Sequence, residues 1–333
     1  MDIHTDLGNL KTYKTYIKLQ EETHTFMKQK NYLQIDAPVL STALIPESYL
    51  DIFKTEFSFF DRKQPMYLTP SAELFLKRLL TQGVGNCYYL GHCFRNSEPQ
   101  STLHSPEFTM LEFYKLGIDY KQMGDELLEL MQHLCMALYG SHDFEYQGKK
   151  VSVAKWEKLS VAEAFDTYSG ISADILFDET KFLEKSNEKG YKTERFAYED
   201  LFSQIFSQEI EPKLGTGGYP TLIYDYPYQM ASLAMLNEDR VTAQRIEFYI
   251  NGIEIGGCCT ELADWREQEK RFESEDLKRH KHGLVPHAID KGFIQALKYG
   301  LPYCTGSGVG FDRLAMVLSN ASSIKELRIV DVY

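Results

Sequence analysis

Apolar and polar positions change period several times along the chain, and each change marks an element. Between Leu10 and Lys30, Tyr13, Tyr16, Ile17, Leu19 and Phe26 recur at helical spacing and predict an amphipathic helix. NYLQIDAPVLS then reads as extended, with Pro38 confining it to a sheet edge or an interface, because Pro has no ladder donor. MYLTPSAELFLKRLLTQGVG predicts a strand, a turn at Thr69-Pro70 and a helix, with Ser71 at the N-cap position. Glu73 in its first turn either complements the helix dipole or faces a pocket. A further helix is expected over Tyr120 to Tyr139. Residues 145–195 are polar and poorly patterned, with helical pieces at Val161–Tyr168 and Glu179–Lys189, and read as an insertion in a single domain spanning 1–333. Phe196 to Lys213 predicts one more amphipathic helix, and GTGGYPTLIYDYP a short apolar strand stopped by Pro227.

Two stretches predict hairpins that carry charge. Around Arg95 to Lys115, the aromatic-rich NCYYLGHCFRN leads into a polar loop and PEFTMLEFYKLG leads out. Alternation puts Phe108, Met110, Glu112 and Tyr114 on one face, a combination that suits a pocket or the wet end of a half-buried strand. In RIEFYINGIEIGG, Asn251-Gly252 is the preferred type I′ turn. With that turn fixed, Ile250 opposes Ile253, Tyr249 opposes Glu254 and Glu247 opposes Gly256. Glu247 and Glu254 then share a face as diagonal neighbours, on the order of 7–8 Å apart. Two such acids either project into water or flank a cation. A divalent metal bridged to substrate phosphates fits, since Mg²⁺ takes one or two carboxylates with phosphate oxygens.

Composition narrows the class of protein. The chain has 333 residues, is 43% hydrophobic and 25% charged, and carries a formal net charge of -12, which argues against nonspecific nucleic-acid binding. The start MDIHTDLGNLKTYK lacks the apolar run of a signal peptide, and no segment is apolar enough to span a bilayer. None of the 6 cysteines forms a CxxC pair, so a reduced, cytoplasmic chain is expected. His280, His282 and His287 follow a highly charged helix and invite a zinc reading, but no spaced cysteines accompany them.

GSGVGFDRLAMVL near the end is glycine-rich and then helical, yet it is neither a P-loop nor the opening of a βαβ unit. Arg313 falls in the first turn of that helix, where a cation opposes the dipole by about 0.3–1 kcal/mol. A carboxylate such as Asp312, or a bound phosphate, would offset this. The collected candidates are Arg95 and Arg313 for phosphates, Glu247 and Glu254 for a metal, and Phe108 for stacking. Glu73, Glu112, Glu261 and Tyr114 remain, and acids in that number suit an ammonium-bearing substrate.

These stretches resemble the class II aminoacyl-tRNA synthetases in their lysyl form. FRNSEP…HSPEFTMLEFY is similar to the second signature motif, GSGVGFDRLAMVL to the third and KNYLQIDAPVLS to the first, the dimer-interface motif. YPYQMASLAML and GLPYCTGSGVGFDR resemble the stand-alone group that attaches lysine or (R)-β-lysine to elongation factor P. The resemblance implies an α+β fold, a mostly antiparallel sheet flanked by helices, with no anticodon-binding OB domain. It implies ATP and Mg²⁺ as cofactors, an amino-acid substrate, elongation factor P rather than tRNA as acceptor, a homodimer and no membrane.

By motif position, the resemblance places Arg95, Asn96, Ser97, Glu98, His104, Ser105, Phe108, Glu247, Glu254, Ile255, Gly310 and Arg313 at ATP, with Glu247 and Glu254 holding the metal. Arg95, Glu254 and Arg313 carry the catalysis, and Phe108 and Arg313 sandwich the adenine. Ser71, Ala72, Glu73, Glu112, Tyr114, Gly257 and Glu261 line the amino-acid pocket. The chain departs from the family at several positions. Gly257 stands where the family carries a substrate-contacting Asn, and the second-motif loop is one residue longer, with Leu103 before His104. Gly308 follows the tRNA enzymes, and Ser71 follows the elongation-factor enzymes. The alternatives are aminoacylation of tRNA or of a small amine with altered specificity, and a non-catalytic nucleotide-binding paralogue.

Overall fold

The computed structural model describes residues 2–96, 101–194 and 196–332. It divides into two compact units, one made of 1–118 and 262–333, the other of 119–261. Each is built on a mostly antiparallel sheet with helices against it, which bears out the expected α+β class.

In the first unit, strands Cys87–Phe94, Glu107–Leu116 and Cys304–Gly310 run antiparallel, and Leu33–Gln34 joins the outer side in parallel. The Arg95–Lys115 hairpin forms as expected, with Cys93 opposite Phe108 and Cys87 opposite Tyr114. Helix Leu10–Gln29 covers this sheet with the helical stripe read from the sequence: Tyr16, Leu19, Phe26 and Met27 are buried. A smaller sheet of Leu40–Ser41, Lys54–Phe59 and Arg62–Leu68 lies in the same unit.

In the second unit, Thr221–Pro227, Thr242–Ile250 and Ile253–Thr260 form an antiparallel meander, and Glu157–Ser160 pairs in parallel with the first of them. Helix Tyr120–Tyr139 has the bounds expected, opened by an Asp119/Gln122 capping box and closed by left-handed Gly140. Apolar side chains from Val161–Ser169, Tyr198–Ile205 and the sheet make one core that includes Phe165, Phe202, Ile223, Tyr226 and Tyr249. The single helix expected over Phe196–Lys213 is instead an α-helix at Tyr198–Ile205, a π-turn at Phe206–Ile210 and a 3₁₀ turn at Glu211–Lys213. Pro212 lies in that last turn, where it cannot donate to an α ladder.

The Asn251-Gly252 turn has positive φ at both residues, 50° and 77°, as a type I′ turn requires. The ladder beyond it departs from the sequence reading. Tyr249 pairs with Glu254, but Phe248 pairs with Gly256 and Glu247 with Gly257, so Ile255 is an extra residue, a β-bulge. Gly257, not Gly256, therefore opposes Glu247.

Candidate active site

That bulge decides which side chains share a face. Plain alternation from Glu254 would put Gly257 and Glu261 on the opposite side of the strand, since both lie an odd number of residues away. One extra residue restores them to the face of Glu247 and Glu254. The close pairing also fixes residue type: a Cβ on Gly257 would fall 2.7 Å from the Ile246 carbonyl oxygen and 3.3 Å from Glu247 Cγ. Glu261 is buried, and its Oε1 receives the Cys259 thiol at 3.8 Å. The Ile255 side chain is buried in the core, so only its backbone is available to a ligand.

Glu247 is held from three directions. Tyr226 and Tyr249 each donate a phenol proton to Oε2 at 2.6 Å, and Arg245 Nη2 donates to Oε1 at 2.6 Å. Burial and the Glu247 charge push both phenols well above their usual pKa, which keeps them donors. Glu254 bears on both phenols as well, in accord with the shared face. For a divalent cation this donor set fits. A carboxylate offers about four lone-pair positions, and donors among the described residues occupy three on Glu247, which leaves one on Oε1.

The first unit carries a different arrangement. Glu112 is 3% exposed and accepts from the Ser71 hydroxyl at 2.7 Å, the Ala72 N–H at 3.0 Å and the Tyr114 hydroxyl at 2.9 Å. Burial, with Glu73 beside it, raises its carboxyl to about 7. Ser71 lies one residue before the helix N-cap, which is Ala72, though its Oγ still accepts from Glu73 N–H at 3.0 Å. Glu73 is ion-paired with buried Lys77 one turn along the helix.

Across the sheet from Tyr114, Glu112 and Met110 lie Gly306, Gly308 and Gly310, so the neighbouring strand presents bare backbone to that face. At Gly308 a Cβ would meet nothing closer than Met110 Sδ at 3.9 Å. Gly310 is also the N-cap of helix Phe311–Leu318.

The Arg95 guanidinium lies 5.2 Å from the centre of the Phe108 ring. Arg313 donates to the Leu103 carbonyl at 3.2 Å and meets His104 Nε2 at 2.8 Å, while Ser101 Oγ is 3.0 Å from His104 Nδ1. Asp312, considered as a partner for Arg313, is instead buried against Tyr16, the Thr109 N–H and Arg328. Asn96 bridges to Asp51 through backbone and side chain. Ser105 is half-buried beside His104, and Ser97 and Glu98 lie outside the described residues.

Sequence reasoning missed six residues that hold or adjoin the candidate side chains. Lys77 was visible only as an i,i+4 partner of Glu73. Arg245, Tyr226 and Tyr249 looked like ordinary strand residues. Glu47, from a loop without a pattern, is raised to about 7 by burial and by Glu73, while Arg95 opposes the shift. Arg279, whose side chain is buried, fixes that loop by donating to the carbonyls of Glu47, Leu50 and Val285.

Comparison with known proteins places the chain in a family. The family described as tRNA synthetases class II (D, K and N) matches residues 5–329. The elongation factor P–(R)-β-lysine ligase of Hamiltonella defensa subsp. Acyrthosiphon pisum is 34% identical over 308 residues, 91% of this chain and 89% of that protein. A ligase of the same name from Vibrio atlanticus is 34% identical over 318 residues, covering 93% and 92%. The lysine–tRNA ligase of Chloroflexus aurantiacus is 33% identical over 331 residues, 98% of this chain but 66% of that protein. The chain thus spans about two thirds of the length of the lysine–tRNA ligases it matches. No described helix is long and apolar enough to cross a membrane. With the motif residues set on antiparallel sheets and the family match running almost end to end, the chain belongs to the class II tRNA synthetases of the D, K and N group.

Proposed function

We propose that the protein activates lysine or (R)-β-lysine with ATP and passes the aminoacyl group to a lysine side chain of elongation factor P. The observation that carries the amino-acid half is Glu112. It is a buried acid whose three donors are neutral, and Lys77 is paired with the neighbouring acid Glu73, so a substrate ammonium supplies the charge that Glu112's own donors lack. The acceptor rests on the relatives named as elongation factor P ligases, which the chain matches over 89–94% of their length.

In the first step an oxygen of the amino-acid carboxylate attacks the α-phosphorus of ATP and pyrophosphate leaves, giving an aminoacyl-adenylate. In the second, the acceptor amine attacks the acyl carbon and AMP leaves. No covalent enzyme intermediate is needed, so positioning and charge neutralisation do the work. Arg95 holds the α-phosphate and the substrate carboxylate. The adenine lies between Phe108 and Arg313, with His104, Ser105, Asn96 and the backbone of Gly310 toward the nucleotide; Ile255, Ser97 and Glu98 are assigned to ATP by motif position alone. Ser71, Ala72, Glu73, Glu112 and Tyr114 in the first unit, and Gly257 and Glu261 in the second, are assigned to the amino acid by motif position. Glu247 and Glu254 would hold Mg²⁺, which would neutralise phosphate charge when bound.

A second copy completes the reading as a homodimer, supported by exposed Leu33, Val39 and Leu40 in the first-motif segment. The experiment is direct: incubate the enzyme with ATP, each amino acid and elongation factor P, and weigh the factor. The mass of one added residue is expected, and an unchanged mass with lysine and with (R)-β-lysine contradicts the acceptor. Transfer to tRNA is the competing reading, favoured by the match to lysine–tRNA ligases over 98% of this chain, and labelling of bulk tRNA would select it.

A further inference from the structure

Tyr226 should not reach Glu247. Ile223 pairs directly with Glu247, so alternation sends Leu222, Tyr224 and Tyr226 to the other face. The ladder slips between Tyr224 and Tyr226, and Asp225 takes a left-handed conformation, φ 62°. That conformation is uncommon outside glycine, although Asp tolerates it better than most. It is held by the Tyr120 hydroxyl and by the Asn237 amide, which donates to the same carboxylate oxygen at 3.1 Å. The result brings Tyr226 onto the face of Ile223 and Tyr249, into their core cluster, with its hydroxyl on Glu247. Bulges commonly re-aim a side chain beside a functional site.

Both phenol rings are only 2% exposed, so neither hydroxyl can swing to solvent. Arg245 is fixed in turn: Nη1 donates to the Met230 carbonyl at 2.8 Å, and the guanidinium lies 4.9 Å from the centre of the Tyr226 ring. We propose that Tyr226 and Tyr249 are positioning residues that lock Glu247 in one orientation, so that it offers a bound cation a single lone pair on Oε1. The inference rests on the functional reading above, in which Glu247 serves Mg²⁺-ATP. It adds that Glu247 is a one-oxygen ligand aimed in advance, with its second oxygen committed to the phenols. Partners that orient a metal ligand commonly contribute 10–100-fold in affinity.

The alternative is that the phenols only satisfy a half-buried acid. A double-mutant cycle separates the two. The Mg²⁺ concentration giving half-maximal binding of a non-hydrolysable ATP analogue would be measured by calorimetry for the wild type, Tyr226→Phe, Glu247→Gln and the double variant. Tyr226→Phe keeps the buried ring and removes one donor. It is expected to raise the half-saturating Mg²⁺ about tenfold. In the Glu247→Gln background the same change should add nothing, because the bond it acts through has already been altered. An unchanged Mg²⁺ dependence in Tyr226→Phe, or fold-changes that multiply in the double variant, would overturn the proposal. Tyr249→Phe removes the other donor to the same oxygen and serves equally if Tyr226→Phe fails to fold. A wild type that binds no nucleotide at any Mg²⁺ concentration overturns the functional reading itself, and the clamp's role with it.

Discussion

Glu112 and Glu247 are both acids held by three donors, yet the two units hold them differently. Glu112 receives two hydroxyls and a backbone N–H, all neutral, and has Glu73 for a neighbour. Glu247 receives two phenols and a guanidinium. The first acid is hydrogen-bonded but not neutralised, and its raised carboxyl records the deficit. The second already has a cation, so its neighbours set its direction rather than wait for a charge. An uncompensated acid is suited to select a cationic substrate, and a compensated one is suited to hold geometry.

The largest effect expected falls on Glu254, the acid on the face of Glu247 assigned to the metal. Glu254→Gln should lower amino-acid-dependent pyrophosphate exchange by about 10²–10³-fold while leaving the melting temperature near wild type. Unchanged exchange would remove the metal assignment. Glu112→Gln tests the uncompensated acid. Its KM for the amino acid should rise about tenfold with little change in KM for ATP, and equal losses for both ligands would contradict the pocket assignment.

The same variant has a pH signature. Between the ordinary carboxylate value of 4.5 and about 7, folded Glu112 keeps a proton that the unfolded chain has lost. Native protein therefore binds more protons, and stability falls as pH rises through that window, by at most about 1.4 kcal/mol per pH unit from this group. Thermal unfolding from pH 5 to 7 should show a flatter decline in Glu112→Gln than in the wild type. An identical slope would mean that Glu112 is ionised throughout.

Glycines provide the smaller contrasts. Gly257→Asn, which introduces the residue that the resemblance leads one to expect there, places a Cβ against the Ile246 carbonyl and should cost about 1–3 kcal/mol of stability by denaturant titration. Gly308→Ala meets only Met110 at ordinary contact distance and should stay within about 0.5 kcal/mol. Equal stability of the two variants would contradict the close pairing of Glu247 with Gly257.

The first unit's acid was more legible in the sequence than the second's. Glu112 and Tyr114 lie two residues apart on a regular strand, so alternation alone put them on one face. Helix Tyr120–Tyr139 was equally plain, because its pattern and both ends agree. Glu261 and Gly257 were placed by family resemblance, since alternation from Glu254 argues against them until the bulge at Ile255 is known. Two adjacent glycines at 256 and 257 were the only local signal of that bulge. Tyr226 needed a second irregularity, a left-handed Asp225 stabilised from Tyr120 and Asn237, and contacts of that sequence separation leave no local pattern. Glu47 was hidden for a similar reason, since Arg279, far along the chain, fixes its loop.

Amino-acid-dependent ATP–pyrophosphate exchange tests the central claim most directly, run across a panel that includes both lysine isomers and (R)-β-lysine. The account predicts exchange with lysine or (R)-β-lysine and none with amino acids lacking a side-chain or β-amine. Exchange driven by an uncharged amino acid, or silence across the whole panel, would contradict it.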